Sequence, residues 1–250
     1  MDTEELFLKY VLPSIGLVLS GAMFASSLPA IIRADKTQDL GALNPFPYVT
    51  MVFSCVGWVV YGMFTPEPTN IYCVLGNGFG FICGLYSMLV TFNLTTKKRK
   101  DLILRSTLFL ATIFTFVFFF VGYYASTETA RITTGSLSTA VLLLYYAAPL
   151  TSLLSVVRER NSSSIYIPLS ICSGVSASLW TGFGFFVQDY FIALPNLWGV
   201  ILAVIQIVLR IIYPSSTSKA VSTAPITAKG KELKVFVAGD QEKGSTSELH

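Results

Sequence analysis

The chain has 250 residues, of which 53% are hydrophobic, 14% aromatic and only 12% charged, with a mean hydropathy of +0.64. An ordinary soluble domain carries about 25% charged residues, so the charge needed to coat a water-facing surface is missing and a soluble globular fold is excluded. The net charge of +3 is too small to mark a nucleic-acid binder, and the sole histidine is His250, which takes the central group away from Ser-His-Asp, Cys-His and His-metal chemistry.

Asp2, Glu4 and Glu5 open the chain with the wrong sign for a secretory leader. The first apolar run, residues 8–32, is long enough to be a true membrane span. Further runs follow at 46–64, 71–92, 102–124, 137–157, 165–187 and 190–212. Each approaches or exceeds the roughly 20 residues that cross a bilayer as a helix, which predicts an all-α integral membrane protein with seven transmembrane helices. Beyond them, residues 214–250 turn to Ser, Thr, Lys, Glu and Gly and read as a disordered cytosolic tail. Cys55, Cys73, Cys83 and Cys172 fall in apolar runs without metal-type spacing, so they read as packing residues. No metal and no cofactor are expected, and the chain is not expected to be an enzyme.

Orientation follows from the basic residues. With the N-terminus outside, 15 of the 17 lysines and arginines fall on the cytosolic side, leaving only Lys9 and Arg131 outside. A multi-pass protein results, with a cytosolic C-terminus and the plasma membrane as its expected location. No charge stands in the middle of any span; Lys9, Arg105 and Arg210 lie at ends, and Asp189 lies at the outer junction of spans six and seven. Pumps and proton-coupled carriers mark their route with intramembrane ionisable groups. Their absence favours a passive path for a neutral solute.

An internal repeat is visible. Span two carries Ser54-x-x-x-Trp58-x-x-x-Gly62 and span six carries Ser176-x-x-x-Trp180-x-x-x-Gly184. Span three carries Asn77-x-x-Gly80 and span seven Asn196-x-x-Gly199. Recurrence in the same order predicts two parallel three-helix repeats, residues 8–93 and 137–213, joined by a linker helix at 102–124 in a 3+1+3 arrangement. Span four, with its Phe116–Phe120 aromatic stretch, suits a lipid-facing linker. Pro29, Pro47, Pro149 and Pro168 fall in or at the ends of the paired spans one, two, five and six, where a missing backbone donor gives a place to bend.

An amide in an apolar helix is costly without partners. Asn77 and Asn196 are therefore either interhelical glue or paired ligands for a hydroxyl-rich solute, since each offers two donors and two acceptor lone pairs. Trp58 and Trp180 present flat faces able to stack on the C–H face of a sugar ring. Ser54 and Ser176 lie one turn before the tryptophans on the same face, either as pocket donors or as packing residues.

These elements resemble the SWEET (MtN3/saliva) family of sugar transporters over about residues 12–214. The closest correspondence lies in Pro47 through Trp58-Val59-Val60-Tyr61-Gly62, Asn77-x-x-Gly80, Tyr146-Ala147-Ala148-Pro149-Leu150 and Trp180 through Ala193-Leu194-Pro195-Asn196. The resemblance implies the 3+1+3 fold, parallel repeats being a known property of this family, and facilitative, bidirectional sugar movement by alternating access. It implies that Trp58, Asn77, Trp180 and Asn196 line the site of a neutral mono- or disaccharide, that Tyr61 and Asp189 form an extracellular gate, and that the protein self-associates in the lipid bilayer. The family's hinge prolines map onto Pro149, onto Pro47 and Pro168 with Pro45 and Tyr166 as competing alignments, and onto Pro29 or Ser27. Two rivals share the span count. A PQ-loop amino-acid exporter would carry a Pro-Gln dipeptide, and a heptahelical receptor would not carry duplicated Trp and Asn elements.

Overall fold

The computed structural model describes residues 3–41, 43–165 and 167–214, the side chains of 147–149 excepted. The expected tail beyond Pro214, the alternative hinge position Tyr166 and the Pro149 side chain lie outside the described residues. Within them every regular element is helical. Seven segments are long and apolar enough to cross a bilayer: Thr3–Thr37, Phe46–Met63, Thr69–Leu94, Lys97–Tyr124, Thr127–Glu159, Ile167–Phe186 and Tyr190–Ile212.

Spans one and five run well past their apolar stretches. Span five starts at Thr127 rather than 137, because Ser126 caps it by accepting from the Thr129 amide and Glu128 pairs with Arg131 across the first turn. Both spans also break inside. Span one passes from a π-helical turn, Phe7–Val11, into Leu12–Ala25, breaks at Ser26-Ser27 and resumes as Leu28–Thr37. Span five breaks at Tyr146 between Thr127–Tyr145 and Ala147–Glu159. Both second pieces end on a left-handed cap, Gln38 at φ 54° and Arg160 at φ 51°. These caps are 122 positions apart, the same interval that separates Trp58 from Trp180.

The four prolines expected as hinges occupy first turns. Pro29, Pro47 and Pro168 are each the second residue of a helical piece, and Pro149 is the third of its piece. There the absent N–H would have no intrahelical partner anyway. Pro47 and Pro168 thus begin spans two and six rather than bend them, whereas Pro29 and Pro149 follow the two internal breaks.

In a bilayer, helices associate through close backbone approach more than through the hydrophobic effect. Gly80 shows this: a Cβ there would lie 2.7 Å from Phe24 and 2.9 Å from Cys55 Sγ, so spans one, two and three meet at one point. Gly199 repeats the arrangement, its Cβ position lying 3.1 Å from Tyr146 Oη and 3.3 Å from Ala177. Phe24 and Tyr146, and likewise Cys55 and Ala177, stand 122 positions apart. The duplication therefore holds at the level of individual contacts.

The repeats meet where span two packs on Thr127–Tyr145 and where Leu12–Ala25 packs on span six. Past the breaks, Leu28–Thr37 packs on span three and Ala147–Glu159 on span seven, each within its own repeat. Span four buries Ile103, Leu110, Phe114 and Val121 along one face. The first three of these pack toward Val49 and Phe53 of span two and Val141 of span five, while Phe116 and Phe119 point outward.

Candidate functional site

The paired tryptophans enter one buried cluster that draws on both repeats. It contains Trp58, Tyr61, Tyr72, Cys73, Phe183 and Ile192, with Trp180 packed against it. Trp58 meets the Tyr61 ring edge-on at 5.3 Å, and Trp180 meets Phe183 at 5.9 Å in the same manner. Trp180 is half-buried and bonded: Nε1 donates to Ser20 Oγ at 2.9 Å, and Ser20 Oγ lies 3.1 Å from Ser176 Oγ. Its indole lies against Gly16, whose Cβ position is 3.2 Å away. Span six is thereby tied to span one across the repeat interface. Ser54 is buried on span two.

Asn77 and Asn196 sit one turn inward of this cluster, and their geometry is the same. Asn77 Nδ2 donates to the Cys73 carbonyl at 3.0 Å, and Asn196 Nδ2 donates to the Ile192 carbonyl at 2.8 Å. Cys73 and Ile192 are themselves members of the cluster. Each side chain is half-buried, spends one N–H on its own helix and makes no bond to a neighbouring helix among the described residues. An amide held this way keeps its oxygen and second N–H for another partner.

Tyr61 and Asp189 are in direct contact. The Tyr61 hydroxyl reaches both Asp189 oxygens, at 2.7 and 2.6 Å, in a buried setting. Asp189 is also the N-cap of span seven, accepting from the amides of Phe191 at 3.1 Å and Ile192 at 3.4 Å. One carboxylate thus starts a helix and receives a hydroxyl from the opposite repeat, closing the end of the bundle where span one begins.

Outside this closure lies a recess of about 820 Å³, lined among others by Glu5, Lys9, Glu67, Glu128 and Arg131. A second recess at the opposite end, about 620 Å³, lies between Ser26 and Leu43 in the first repeat. Neither recess reaches Asn77 or Asn196. Two residues beside the expected set are placed here by the structure. Ser20 receives the Trp180 indole, and Arg131 stands 4.0 Å from Asp189 Oδ2. Arg131 counts in the sequence only as a topology charge, and Ser20 is one of several small polar residues in span one. The available signal was a basic residue on the outer side, three positions after Glu128 and just before the apolar run of span five.

The family described as sugar efflux transporters for intercellular exchange (MtN3/saliva) matches residues 10–100 and 133–218. The interval between the two matches holds most of span four. The chain is 30% identical over 213 residues to the sugar transporter SWEET1 of Drosophila pseudoobscura pseudoobscura, covering 84% of this chain and 89% of that protein. It is 28% identical over 209 residues to the bidirectional sugar transporter SWEET7b of Oryza sativa subsp. indica, covering 82% and 77%. A solved eukaryotic SWEET transporter superposes with a TM-score of 0.73 over 82% of this chain and 96% of its own, at 20% identity. That likeness is one of fold.

Proposed function

The chain belongs to the MtN3/saliva (SWEET) family of sugar transporters, and from this premise we propose that it is a facilitative, bidirectional sugar uniporter working by alternating access. The observation that carries the proposal is the matched pair of asparagines just inward of the shared aromatic cluster. Each is anchored to its own helix and has hydrogen-bonding capacity left for a neutral, hydroxyl-rich solute. Trp58 and Trp180 offer ring faces to the apolar side of a mono- or disaccharide, with Ser54 and Ser176 behind them. Membership of this family sets aside the receptor reading, and no described feature favours the amino-acid exporter.

The mechanism follows from where the repeats touch. The Tyr61–Asp189 bond joins them at the outer end, while the pieces beyond the two breaks each pack on their own repeat. Rocking the repeats about the central site, with Pro29 and Pro149 at the inner arms and Pro47 and Pro168 at the helix starts, would expose the sugar to either side in turn. No ionisable group stands at mid-span to couple this movement to protons, so transport follows the sugar gradient. The N-terminus lies outside, the C-terminus in the cytosol, and the protein self-associates in the plasma membrane.

Radiolabelled glucose uptake in sugar-transport-deficient cells, with and without a protonophore, tests the reading beside Asn196→Ala. Uptake that survives the protonophore and disappears in the variant supports it. Uptake collapsed by the protonophore, or unchanged in the variant at equal surface expression, overturns the passive pocket.

A further inference from the structure

We infer that Arg131, aimed by Glu128, is the electrostatic latch of the outer gate: a positioning residue that sets how long Tyr61 and Asp189 stay joined. The inference rests on the transporter reading above. The Asp189 side chain is only 8% exposed, and a carboxylate so withdrawn from water needs a counter-charge. Among the described residues Arg131 alone brings a cation within ion-pair distance of it, Nη1 lying 4.0 Å from Oδ2.

That distance is the outer limit of an ion pair. The short bonds of the guanidinium go elsewhere, from Nε to Glu128 Oε2 at 3.1 Å and from Nη2 to Oε1 at 2.9 Å. This two-pronged grip fixes the plane of the group, whose carbon stands 6.0 Å over the Phe191 ring. Phe191 in turn meets Tyr61 edge-on at 5.8 Å. Span five comes this near because Gly135, one turn beyond Arg131, has no side chain. A Cβ there would lie 2.8 Å from both Tyr61 and Phe191.

One cation is therefore shared between two unlike acids. Glu128 is 64% exposed, and water satisfies it when the arginine leaves. Asp189 lines the outer recess but is only 8% exposed, so little water reaches it while the gate is shut. Removing the Arg131 charge leaves a carboxylate held by the Tyr61 hydroxyl and two backbone amides alone, which gains by the fuller hydration of the open gate. Removing the Glu128 charge frees Arg131 to close on Asp189 and holds the gate shut. The two changes act in opposite directions, whereas a merely structural role at the start of span five predicts the same direction for both.

The test uses the full chain in cells and a thiol at Ser138. Ser138 is fully buried where span five meets span two, about two turns inward of Arg131, and a Cβ at Gly57 would lie 2.6 Å from its Oγ. Ser138→Cys is labelled from outside with a membrane-impermeant maleimide, and peptide mass spectrometry separates that thiol from the four native cysteines. Arg131→Gln is expected to raise the labelling rate about fivefold and Glu128→Gln to lower it, with Arg131→Lys between wild type and Arg131→Gln. Both charge removals moving together, or neither moving, overturns the latch. Tyr61→Phe must raise labelling; if it does not, the gate itself is wrong and the latch falls with it. If uptake of glucose fails while the opposed labelling pattern holds, the sugar reading falls and the latch stands. Should Ser138→Cys not reach the surface, the ratio of influx KM to efflux KM replaces labelling. It is expected to fall in Arg131→Gln and rise in Glu128→Gln, and any shared direction overturns the proposal.

Discussion

The two three-helix repeats are copies in their packing and differ in their chemistry. Gly80 and Gly199 hold the same three-way crossing, and Asn77 and Asn196 make the same bond to their own helices. The outer end departs from this. The first repeat offers Tyr61, where the second has Phe183, 122 positions on. Seven positions before the asparagines stand Asn70 in the first repeat and Asp189 in the second. Asn70 bonds the adjacent Ile71 amide, while Asp189 caps span seven and takes the tyrosine hydroxyl. A duplicated scaffold therefore carries one hydroxyl and one carboxylate that meet once across the interface. Backbone approach must be kept in both copies for the helices to fit, whereas a gate needs only a single complementary pair.

Exchanging residues between the copies tests this division. The largest effect belongs to the shared element: Asn77→Ala and Asn196→Ala are each expected to reduce sugar uptake to background, at least a hundredfold, with surface expression intact, because the site needs both amides. Normal uptake by either variant at equal surface expression would overturn the pocket that the two copies are proposed to share.

Gly184→Ala comes next, and its effect is on folding. A Cβ there would lie 2.6 Å from the Ala193 amide nitrogen and 2.9 Å from its Cα, both backbone atoms that cannot rotate away. A loss of about 3 kcal/mol is expected, read as reduced thermal stability in detergent. At Gly80 the nearest atoms belong to the Phe24 and Cys55 side chains, so Gly80→Ala should cost less.

Swapping the proposed gate residue follows. Tyr61→Phe gives the first repeat the residue of the second and removes both bonds to Asp189, weakening the closed outer end by about 2 kcal/mol. The reverse change, Phe183→Tyr, adds a hydroxyl at a fully buried position beside Tyr72 and Trp180. It should destabilise the fold by about 1–3 kcal/mol without creating a second gate. A shift in the influx-to-efflux KM ratio separates the first effect, and thermal melting reads the second. The smallest expected change is Ser20→Ala, about 1 kcal/mol. It should be non-additive with Trp180→Phe because both remove the same hydrogen bond; strict additivity would show that the indole is held by packing alone.

Much of the architecture could be read before any coordinates. Seven apolar runs and two repeated signatures yield the all-helical 3+1+3 order because hydropathy and spacing depend on the chain alone. The ends of spans one and five did not follow, since their outer turns are built from polar residues such as Ser126, Glu128 and Arg131 that continue the helix past the apolar run. The breaks were only half legible. Proline marked them, but Pro47 and Pro168 carry the same mark and merely start helices. At the candidate site the asparagines and tryptophans were visible as a repeated spacing. The anchoring of each amide to its own backbone was not, because an identical sequence fits a bond across helices equally well. Arg131 was hidden for a different reason. Its significance depends on Gly135 letting span five approach Phe191, a relation between distant parts of the chain.

On the proposed alternating-access mechanism, the breaks in spans one and five would make the inner pieces levers. Leu28–Thr37 has 10 residues and Ala147–Glu159 has 13, which at 1.5 Å per residue makes arms of roughly 15 and 20 Å. Tilting each by about 20° would carry its tip about 5 to 7 Å sideways, so two arms swinging apart widen the inner mouth by about 12 Å, about the diameter of a helix with its side chains. The fulcrum of each arm is an aromatic residue, Phe24 or Tyr146, resting on a glycine. Bulk added at that bearing would stiffen the arm and slow passage while leaving the outer closure untouched.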